Sequence, residues 1–373
     1  MRRVSLLLLI VITLITGCGS GRMTRSTFSS AIPQTSATWF DCNSNKSAEA
    51  VGVNINNLGF TALQSPELVS ALQQSGAGWI RISLNWGWIE RQPGKFDWQA
   101  VDNGLSTLRA AHINALITLY GPVPCWALPT TQADICISPK FTVPPMEAWV
   151  DFVTTAVKRY KGQVDYWEIW NEPDLIQALD VKDPTQRLIQ YRDNILIPAS
   201  QAVHQQDPNA KVVGPAFAAI PSGYTAKGPQ LEAALSLVLK AAAANVIDVV
   251  SLHSYSPVSL LAKVSSARTA MSASGMADTP IWITEIGDGA SASNTLVDYQ
   301  NQQAQVLSTS LSDATSVGGP QKVFWFALTD SADIAGNHTN HFGLISNEDY
   351  KTYAWTPRAS FVTLQTKIQS ACR

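Results

Sequence analysis

The stretch WEIWNEPD, residues 167–174, sets two glutamates among three large apolar side chains. Charged side chains are rarely buried without a partner or a function, so an apolar run that contains Glu168 and ends in Asn171 and Glu172 is unusual. The pattern is typical of a buried strand whose carboxyl end carries working polar groups. Pro173 disfavours helical geometry at the residue before it, which predicts that the strand stays extended up to Glu172.

The same pattern recurs on both sides of this stretch. Eight short apolar or β-branched runs are predicted to be strands, at residues 51–55, 79–83, 114–120, 164–170, 211–216, 247–254, 280–286 and 322–328. A helical pattern follows each run, at residues 65–75, 97–111, 146–160, 185–206, 229–244, 259–274, 295–311 and 357–370. Strands that are apolar on both faces and alternate with helices favour a parallel sheet.

The number of these units predicts the fold. Eight βα units without a change in composition indicate an α/β fold, a single closed (β/α)8 TIM barrel. A doubly wound open sheet is the alternative. Its first strand is usually followed by the glycine-rich turn G-x-G-x-x-G, and the stretch VGVNINNLG at residues 51–59 lacks that turn.

The N-terminus is predicted to be a targeting segment. Two arginines precede an apolar run over residues 4–15 that is too short to span a bilayer stably. The run leads into ITGC, which resembles the bacterial lipobox. That resemblance implies a lipoprotein signal peptide over residues 1–17, lipidation of Cys18, and export to the membrane surface of a bacterial cell envelope. An ordinary secretory signal is the alternative.

The rest of the chain divides into a tether and a folded domain. Residues 18–45 are rich in serine and threonine without apolar periodicity, which predicts a flexible tether, and residues 46–373 are predicted to fold. A formal net charge of −2 gives no electrostatic case for a nucleic-acid partner or a polybasic membrane surface. The lipid is therefore the one membrane contact expected, and the protein is expected to be a monomer.

Four cysteines remain beside the lipidated one, and an even number in an exported protein indicates disulfides. Three pairings are possible. The prediction is Cys125 with Cys136, which closes a short loop, and Cys42 with Cys372, which joins the start of the domain to its end. No C-x-x-C pair occurs. The sequence HTNH at residues 338–341 has no acidic third ligand at a clear spacing, so neither a metal nor a cofactor is predicted.

Polar side chains fall at the predicted strand ends, where (β/α)8 barrels place catalytic groups. Glu172 ends the fourth run and Glu285 ends the seventh, 113 residues later (285 − 172 = 113). The fourth and seventh strands of a closed barrel face each other across its mouth. Further candidates are Asn171, which precedes Glu172 at the end of the fourth run, and Arg81, His253, Tyr255 and Trp325 on other strands.

Two facing glutamates suit the cleavage of a glycosidic bond. One must be a neutral acid that protonates the leaving oxygen, and the other must be ionised to attack the anomeric carbon or to activate water. Their surroundings must therefore push the two pKa values apart. Arg81 and Tyr255 are predicted to keep one carboxylate ionised, whereas Glu172, close to tryptophans in sequence, is predicted to stay protonated. Trp86 and Trp126 are candidates for lining a sugar groove, with core packing as the alternative.

These motifs carry a resemblance to a known group of enzymes. WEIWNEPD and IWITEIG (residues 281–287) together resemble the retaining (β/α)8 glycoside hydrolases of clan GH-A. The stretches that resemble family 39 most, with family 5 a close second, lie at residues 76–98, 117–127, 207–216 and 248–257. The resemblance extends over about residues 50–365. It implies cleavage of an oligo- or polysaccharide through a covalent glycosyl-enzyme intermediate.

The resemblance also implies individual roles. Glu172 would be the acid/base, Glu285 the nucleophile, and Asn171 would bind the sugar 2-hydroxyl. The other implied roles are orientation of the nucleophile by Arg81 and Tyr255, a place near the nucleophile or sugar for His253, and a platform under the sugar for Trp325, held by a non-proline cis peptide. The alternative function is a carbohydrate-binding lipoprotein whose barrel has lost catalysis. Such a relative would usually lack one of the glutamates, and both are present here.

Overall fold

The computed structural model describes most of the chain from residue 48 onward. The described residues are 48–55, 59–129, 141–219, 230–239, 245–255, 259–288, 296–332, 338–349 and 354–371. The signal peptide, the lipidation site Cys18 and the tether lie outside these ranges. The same holds for three of the cysteines, so both disulfide pairings stay predictions. Within the described ranges, no helix is both long and apolar enough to cross a membrane.

Eight parallel strands form a closed barrel, and each strand pairs with the next in the chain before β8 returns to β1. The strands are β1 (Ala48–Asn54), β2 (Ala77–Asn85), β3 (Asn114–Tyr120), β4 (Tyr166–Ile169), β5 (Lys211–Phe217), β6 (Val249–Tyr255), β7 (Ile281–Gly287) and β8 (Lys322–Trp325). The prediction of a (β/α)8 barrel is confirmed, and the open-sheet alternative is wrong.

Helices surround the barrel and follow the strands in the predicted order. They are α1 (Pro66–Ser75), α2 (Trp86–Ile89), α3 (Gln99–Ala110), α4 (Met146–Tyr160), α5 (Pro184–Gln190), α6 (Ile197–Gln206), α7 (Leu231–Leu239), α8 (Leu260–Ala273), α9 (Leu296–Ala314) and α10 (Ala359–Ala371). Short 3-10 helices at Gly59–Gln64 and Cys125–Ala127 add to them.

Local chemistry explains where several helices begin. Ser65 accepts a hydrogen bond from the Leu68 N–H at 3.2 Å, and a proline occupies the first position of α1. Asp183 caps α5 in the same way. The helix predicted over residues 185–206 is broken by a π-helical turn at Tyr191–Leu196. Pro198 lacks an N–H and cannot make the regular backbone bond to the preceding turn, which accounts for a change of geometry at this place.

The amino-terminal end of the barrel interior is filled by aromatic rings. Trp79 packs edge-on against Tyr166 and Trp282, with ring centroids 5.3 and 5.5 Å apart, and Phe324 completes the cluster. The Lys322 ammonium lies 4.4 Å from the centre of the Trp79 ring. Because this end is closed by packed side chains, ligands can approach the interior from the opposite, carboxyl end of the strands.

Close approach between the first and last strands explains one glycine. Gly52 on β1 pairs with Phe324 on β8, and a Cβ at Gly52 would lie 2.3 Å from the phenylalanine ring. Glycine is the residue that permits such an approach. The seam that closes the barrel therefore depends on this position.

A polar layer follows the aromatic one toward the carboxyl end. Side chains alternate along a strand, so Arg81 points inward two residues after Trp79, and Glu168 points inward two residues after Tyr166. Asn54 on β1 belongs to the same buried layer. The last βα connection contains two short antiparallel ladders, formed by the pairs Ser331–Ala332 with His338–Asn340 and Ile345–Asp349 with Ala354–Pro357.

Candidate active site

A buried arginine organises the carboxyl end of the barrel. Arg81 Nε donates to Glu168 Oε2 at 2.6 Å, and its Nη1 donates to Asn54 Oδ1 at 3.0 Å and to Glu285 Oε1 at 2.6 Å. Its Nη2 donates to Asn171 Oδ1 at 2.7 Å. Burial alone would lower the pKa of Arg81, but the two carboxylates outweigh it and the net pKa is raised. One permanently charged side chain thus fixes four groups from β1, from β4 and its carboxyl end, and from β7.

Glu285 receives two hydrogen bonds from charged or polar donors. Beside the contact with Arg81, the Tyr255 hydroxyl donates to Glu285 Oε2 at 2.5 Å. These two hydrogen bonds hold both oxygens of the carboxyl group and so fix its orientation. The side chain is 7% exposed, which leaves it accessible to a small reacting group at the barrel mouth.

An irregular strand pairing brings Glu285 into the interior. Trp282 points into the barrel, and strict alternation would turn a residue three positions later outward. The register between β6 and β7 shifts so that Leu252 pairs with Ile283 but His253 pairs with Glu285. The extra residue on β7 is a bulge that re-aims the glutamate toward the mouth.

Glu172 is held by a turn rather than by an extended strand. Strand β4 ends at Ile169, and Trp170 and Glu172 both have positive φ angles, of 71° and 46°. The prediction that Pro173 keeps the backbone extended up to Glu172 is therefore wrong. Proline disfavours the right-handed helical region at the preceding residue but leaves the left-handed region to be selected by tertiary contacts, here a hydrogen bond from Glu172 N to Ala216 O at 3.2 Å.

Glu172 and His253 are joined directly. His253 Nδ1 lies 2.8 Å from Glu172 Oε1 and 3.4 Å from Glu285 Oε2. Burial raises the pKa of Glu172, an effect that the positive charges of Arg81 and Lys263 partly oppose. Burial also lowers the pKa of His253 to about 4, so the imidazole is neutral near pH 7. These surroundings favour a proton on Glu172.

Asp174 is a second buried acid beside Glu172. It is 2% exposed, its Oδ1 accepts a hydrogen bond from Ala218 N at 3.1 Å, and its Oδ2 has no hydrogen-bond partner among the described residues. Burial, with a smaller contribution from the charge of Glu172, raises the pKa of Asp174 to about 6. Ionised Asp174 is therefore costly to bury.

Asp174→Asn is expected to remove a pH-dependent part of the stability. Because the folded-state pKa is raised, the contribution of Asp174 is fully present below pH 4 and is lost as the pH rises through about 6. The wild-type free energy of unfolding, minus that of the variant, should fall by about 2–3 kcal/mol between pH 4 and pH 7.5. Urea unfolding of both proteins at several pH values measures this, and a difference that stays flat with pH would contradict it.

The remaining predicted residues fall into two groups. The structure brings together Arg81, Asn171, Glu172, His253, Tyr255 and Glu285. Burial, together with the charges of the nearby Glu172 and Glu285, raises the pKa of Tyr120, which places this residue close to the same group. Trp126 is half-buried, with its indole N–H donating to Glu90 O at 2.9 Å, and its role stays a prediction.

Two tryptophans are not where the sequence predicted. Trp86 is fully buried, stacks on Phe152 and donates its indole N–H to Glu90 Oε2 at 2.7 Å, so its assignment to a sugar groove is wrong. Trp325 is 3% exposed and packs in the core between barrel and helices. Because Phe324 points into the barrel, alternation turns Trp325 outward and Phe326 inward again.

Phe326 occupies the place predicted for Trp325. The non-proline cis peptide joins Phe326 to Ala327, one residue later than expected for a bond next to Trp325. The half-buried Phe326 ring contacts Tyr255, with centroids 6.1 Å apart, and Phe342, with centroids 5.5 Å apart. Since Tyr255 binds Glu285, Phe326 lies beside the group that would receive a sugar. The sequence VFWFAL contained this aromatic, but the side of the strand could not be read from it.

Phe326→Ala is expected to raise KM about tenfold, because an aromatic contact is worth roughly 1–1.5 kcal/mol. The matched control is Trp86→Phe, which should lower the unfolding free energy by about 1–3 kcal/mol and leave KM unchanged. Steady-state kinetics and thermal unfolding of both variants test the assignment. A KM effect for Trp86→Phe without one for Phe326→Ala would reverse it.

The grouping of acids and histidine resembles a metal site in composition. Glu172, His253 and Glu285 each present a possible ligand atom, and these atoms lie within 4.8 Å of one another. Arg81 lies 2.6 Å from Glu285, and its fixed positive charge opposes a second cation at the same carboxylate. In the HTNH stretch, His341 Nδ1 lies 3.4 Å from Asp330 Oδ2, and the His338 side chain is outside the described part.

Comparison with known proteins agrees with this geometry. A family model described as the glycosyl hydrolase catalytic core matches residues 144–354, more than half of the chain. The chain therefore belongs to the glycosyl hydrolase catalytic core family. No curated protein matches it significantly.

Solved structures share the barrel. A family 39 glycoside hydrolase from Bacteroides cellulosilyticus WH2 has a TM-score of 0.62 and 20% identity over 87% of this chain and 64% of that chain. This chain thus spans less than two thirds of the length of that enzyme. A glucosidase from Croceicoccus marinus has a TM-score of 0.61 and 18% identity, over 86% of this chain and 67% of that chain. A family 1 β-glucosidase from Thermotoga maritima has a TM-score of 0.63 and 14% identity, over 86% of this chain and 98% of that chain.

Proposed function

We propose that the protein is a retaining glycoside hydrolase that cleaves O-glycosidic bonds of an oligo- or polysaccharide. Glu172 acts as the acid/base and Glu285 as the nucleophile. The observation that carries the proposal is the pair itself, since an oxygen of Glu172 and an oxygen of Glu285 lie within 4.8 Å of each other. Carboxyl groups about 5–5.5 Å apart are typical of retaining enzymes, whereas inverting enzymes need about 6.5–9.5 Å.

The first step would form a glycosyl-enzyme ester. A Glu285 oxygen attacks the anomeric carbon while the bond from that carbon to the leaving oxygen breaks and the leaving oxygen takes the proton of Glu172. The hydrogen bonds from Arg81 and Tyr255 orient the attacking carboxylate. The raised pKa of Glu172 supports its role because the proton must be present before the step begins.

The second step would release the sugar. Glu172, now ionised, removes a proton from water, the water oxygen bonds to the anomeric carbon, and the ester bond to Glu285 breaks. Both glutamates return to their starting states, and two displacements leave the anomeric configuration unchanged. Asn171 would bind the sugar 2-hydroxyl. Its oxygen already accepts from Arg81, which leaves the amide N–H groups as donors.

The setting proposed for this reaction is a membrane of the bacterial cell envelope, on its periplasmic or cell-surface side. Cleavage of the signal peptide over residues 1–17 would leave the lipidated Cys18 as the anchor, and the tether over residues 18–45 would separate the barrel from the lipid surface. A monomeric barrel with its mouth open to the medium could then reach a polymeric carbohydrate.

The stereochemical outcome tests the proposal. Purified protein should be screened against aryl glycosides of several sugars and against bacterial exopolysaccharides, and the first anomer released from an active substrate should be identified by proton NMR. Retention of configuration supports the mechanism. Initial release of the inverted anomer would assign Glu285 a different role. Product lengths from a polysaccharide separate exo from endo action.

A further inference from the structure

A buried lysine lies behind the acid/base. Lys263 on α8 is 1% exposed, and its ammonium donates to the main-chain oxygen of His253 and, at 3.2 Å, to that of Ala218. A lysine on a helix outside a barrel normally extends into solvent, because burial of its charge is costly. Here the side chain turns inward between the ends of β5 and β6.

The contacts of Lys263 complete a ring of hydrogen bonds around Glu172. Glu172 N donates to Ala216 O at 3.2 Å, and Ala218 N donates to Asp174 at 3.1 Å, so the end of β5 and the residue after it hold the acid/base turn at two points. Lys263 ties that segment to His253 O. The contact between the His253 imidazole and Glu172 Oε1 completes this set of hydrogen bonds.

The charge of Lys263 also acts on this turn. Burial lowers the pKa of Lys263 to about 8, while the carboxyl groups of Asp174 and Glu172 raise it. At neutral pH the ammonium is therefore charged, and this charge lowers the pKa of Glu172. The charged and titratable groups that surround Glu172 are Arg81, Tyr120, Asp174, His253, Tyr255, Lys263 and Glu285.

We propose that Lys263 is a positioning residue for Glu172, which joins the strand ends that hold the acid/base and supplies positive charge beside it. The proposal rests on the function proposed for Glu172. No atom of Lys263 needs to touch the substrate. Its effect would pass through the His253 carbonyl, the segment after β5 and the electrostatic field at the glutamate.

The chain offers a matched control for this lysine. Lys322 is also largely buried, its ammonium donates to Glu49 O at 2.5 Å, and burial lowers its pKa to about 8 as well. It lies at the start of β8, at the opposite end of the barrel from Glu172. Lys263→Met and Lys322→Met therefore each remove an ammonium group that donates to a main-chain oxygen, one close to the acid/base and one at the other end of the barrel.

Lys263→Met is expected to lower kcat about tenfold and to move the alkaline limb of kcat/KM to higher pH. The limb moves because loss of a positive charge raises the pKa of Glu172, which must be protonated in the first step. Lys263→Arg should restore most of the wild-type profile. Lys263→Gln keeps an N–H donor without charge and replaces the methionine variant if that variant does not fold. Lys322→Met should lower the unfolding temperature and leave the limb in place.

Two measurements separate this inference from the proposed function. Full pH profiles of the four variants give the kinetic result, and a limb unchanged in both uncharged Lys263 variants would overturn the inference. Carbon-13 NMR titration of the Glu172 carboxyl, assigned with Glu172→Gln, needs no substrate. If the wild type hydrolyses no glycoside, the proposed function fails, yet a raised Glu172 pKa in Lys263→Met still supports the positioning role, and an unchanged pKa overturns it.

Discussion

Glu285→Ala is expected to reduce kcat/KM by about 10⁴-fold or more on every substrate that the wild type hydrolyses. Without the carboxylate no ester can form at the anomeric carbon, and no other group in the described site can replace it. Arg81 loses one of its two anionic partners in the same variant. Single-turnover and steady-state rates with an activated aryl glycoside measure the loss, after thermal unfolding has shown that the variant is folded.

Azide distinguishes a missing nucleophile from general damage. A small anion that fits the space vacated in Glu285→Ala should attack the anomeric carbon directly, and one displacement gives a glycosyl azide of inverted configuration. Glu285→Gln is the control, because the amide fills the space and should not be rescued. Hydrolysis at the wild-type rate in Glu285→Ala would show that another residue is the nucleophile.

Glu172→Ala is expected to divide substrates by their leaving groups. An activated phenol departs without a proton, so formation of the ester should change little, whereas a sugar or alkoxide leaving group should slow by about 10²–10⁴-fold. The variant should accumulate the ester on activated substrates, because water then lacks its general base. Kinetics with phenols of graded acidity measure the dependence, and a uniform loss over the series would contradict the assignment.

The pH profile provides a second sign of the same role. Wild-type kcat/KM should fall at alkaline pH as Glu172 loses its proton, and burial places this limb above the range of an exposed glutamate because it raises the pKa. Glu172→Ala should lack the limb. Azide should restore turnover on activated substrates with retained configuration, since it attacks the ester on Glu285. If this variant instead formed a glycosyl azide of inverted configuration, Glu172 would be the nucleophile and Glu285 the acid/base.

The strands and the two glutamates could be predicted because they depend on local patterns. An apolar run with helical patterns on both sides is visible in the sequence, and barrel geometry places the polar residues after such runs at one end. All eight strands overlap their predicted ranges. Counting the strands then places Glu172, after the fourth, and Glu285, on the seventh, across the mouth of the barrel from each other.

The features that could not be predicted depend on contacts between distant segments. The bulge in β7 and the positive φ at Glu172 are set by pairing with β6 and by a hydrogen bond to the end of β5. Trp325 and Phe326 are equally apolar, and which of them faces inward depends on a strand register that no local pattern gives. Lys263, in a helix of mixed composition, has the pattern of a solvated surface residue, although it is 1% exposed.

The hydrogen bond between Arg81 and Glu285 joins residues 204 positions apart. An incomplete chain that ends before β7 would hold a guanidinium in the barrel interior with one carboxylate fewer than it needs. Folding must therefore wait for nearly the whole polypeptide, and such long-range contacts make folding slow. The proposed export through a membrane would benefit from late folding, since a chain that cannot bury its charges early remains unfolded during passage.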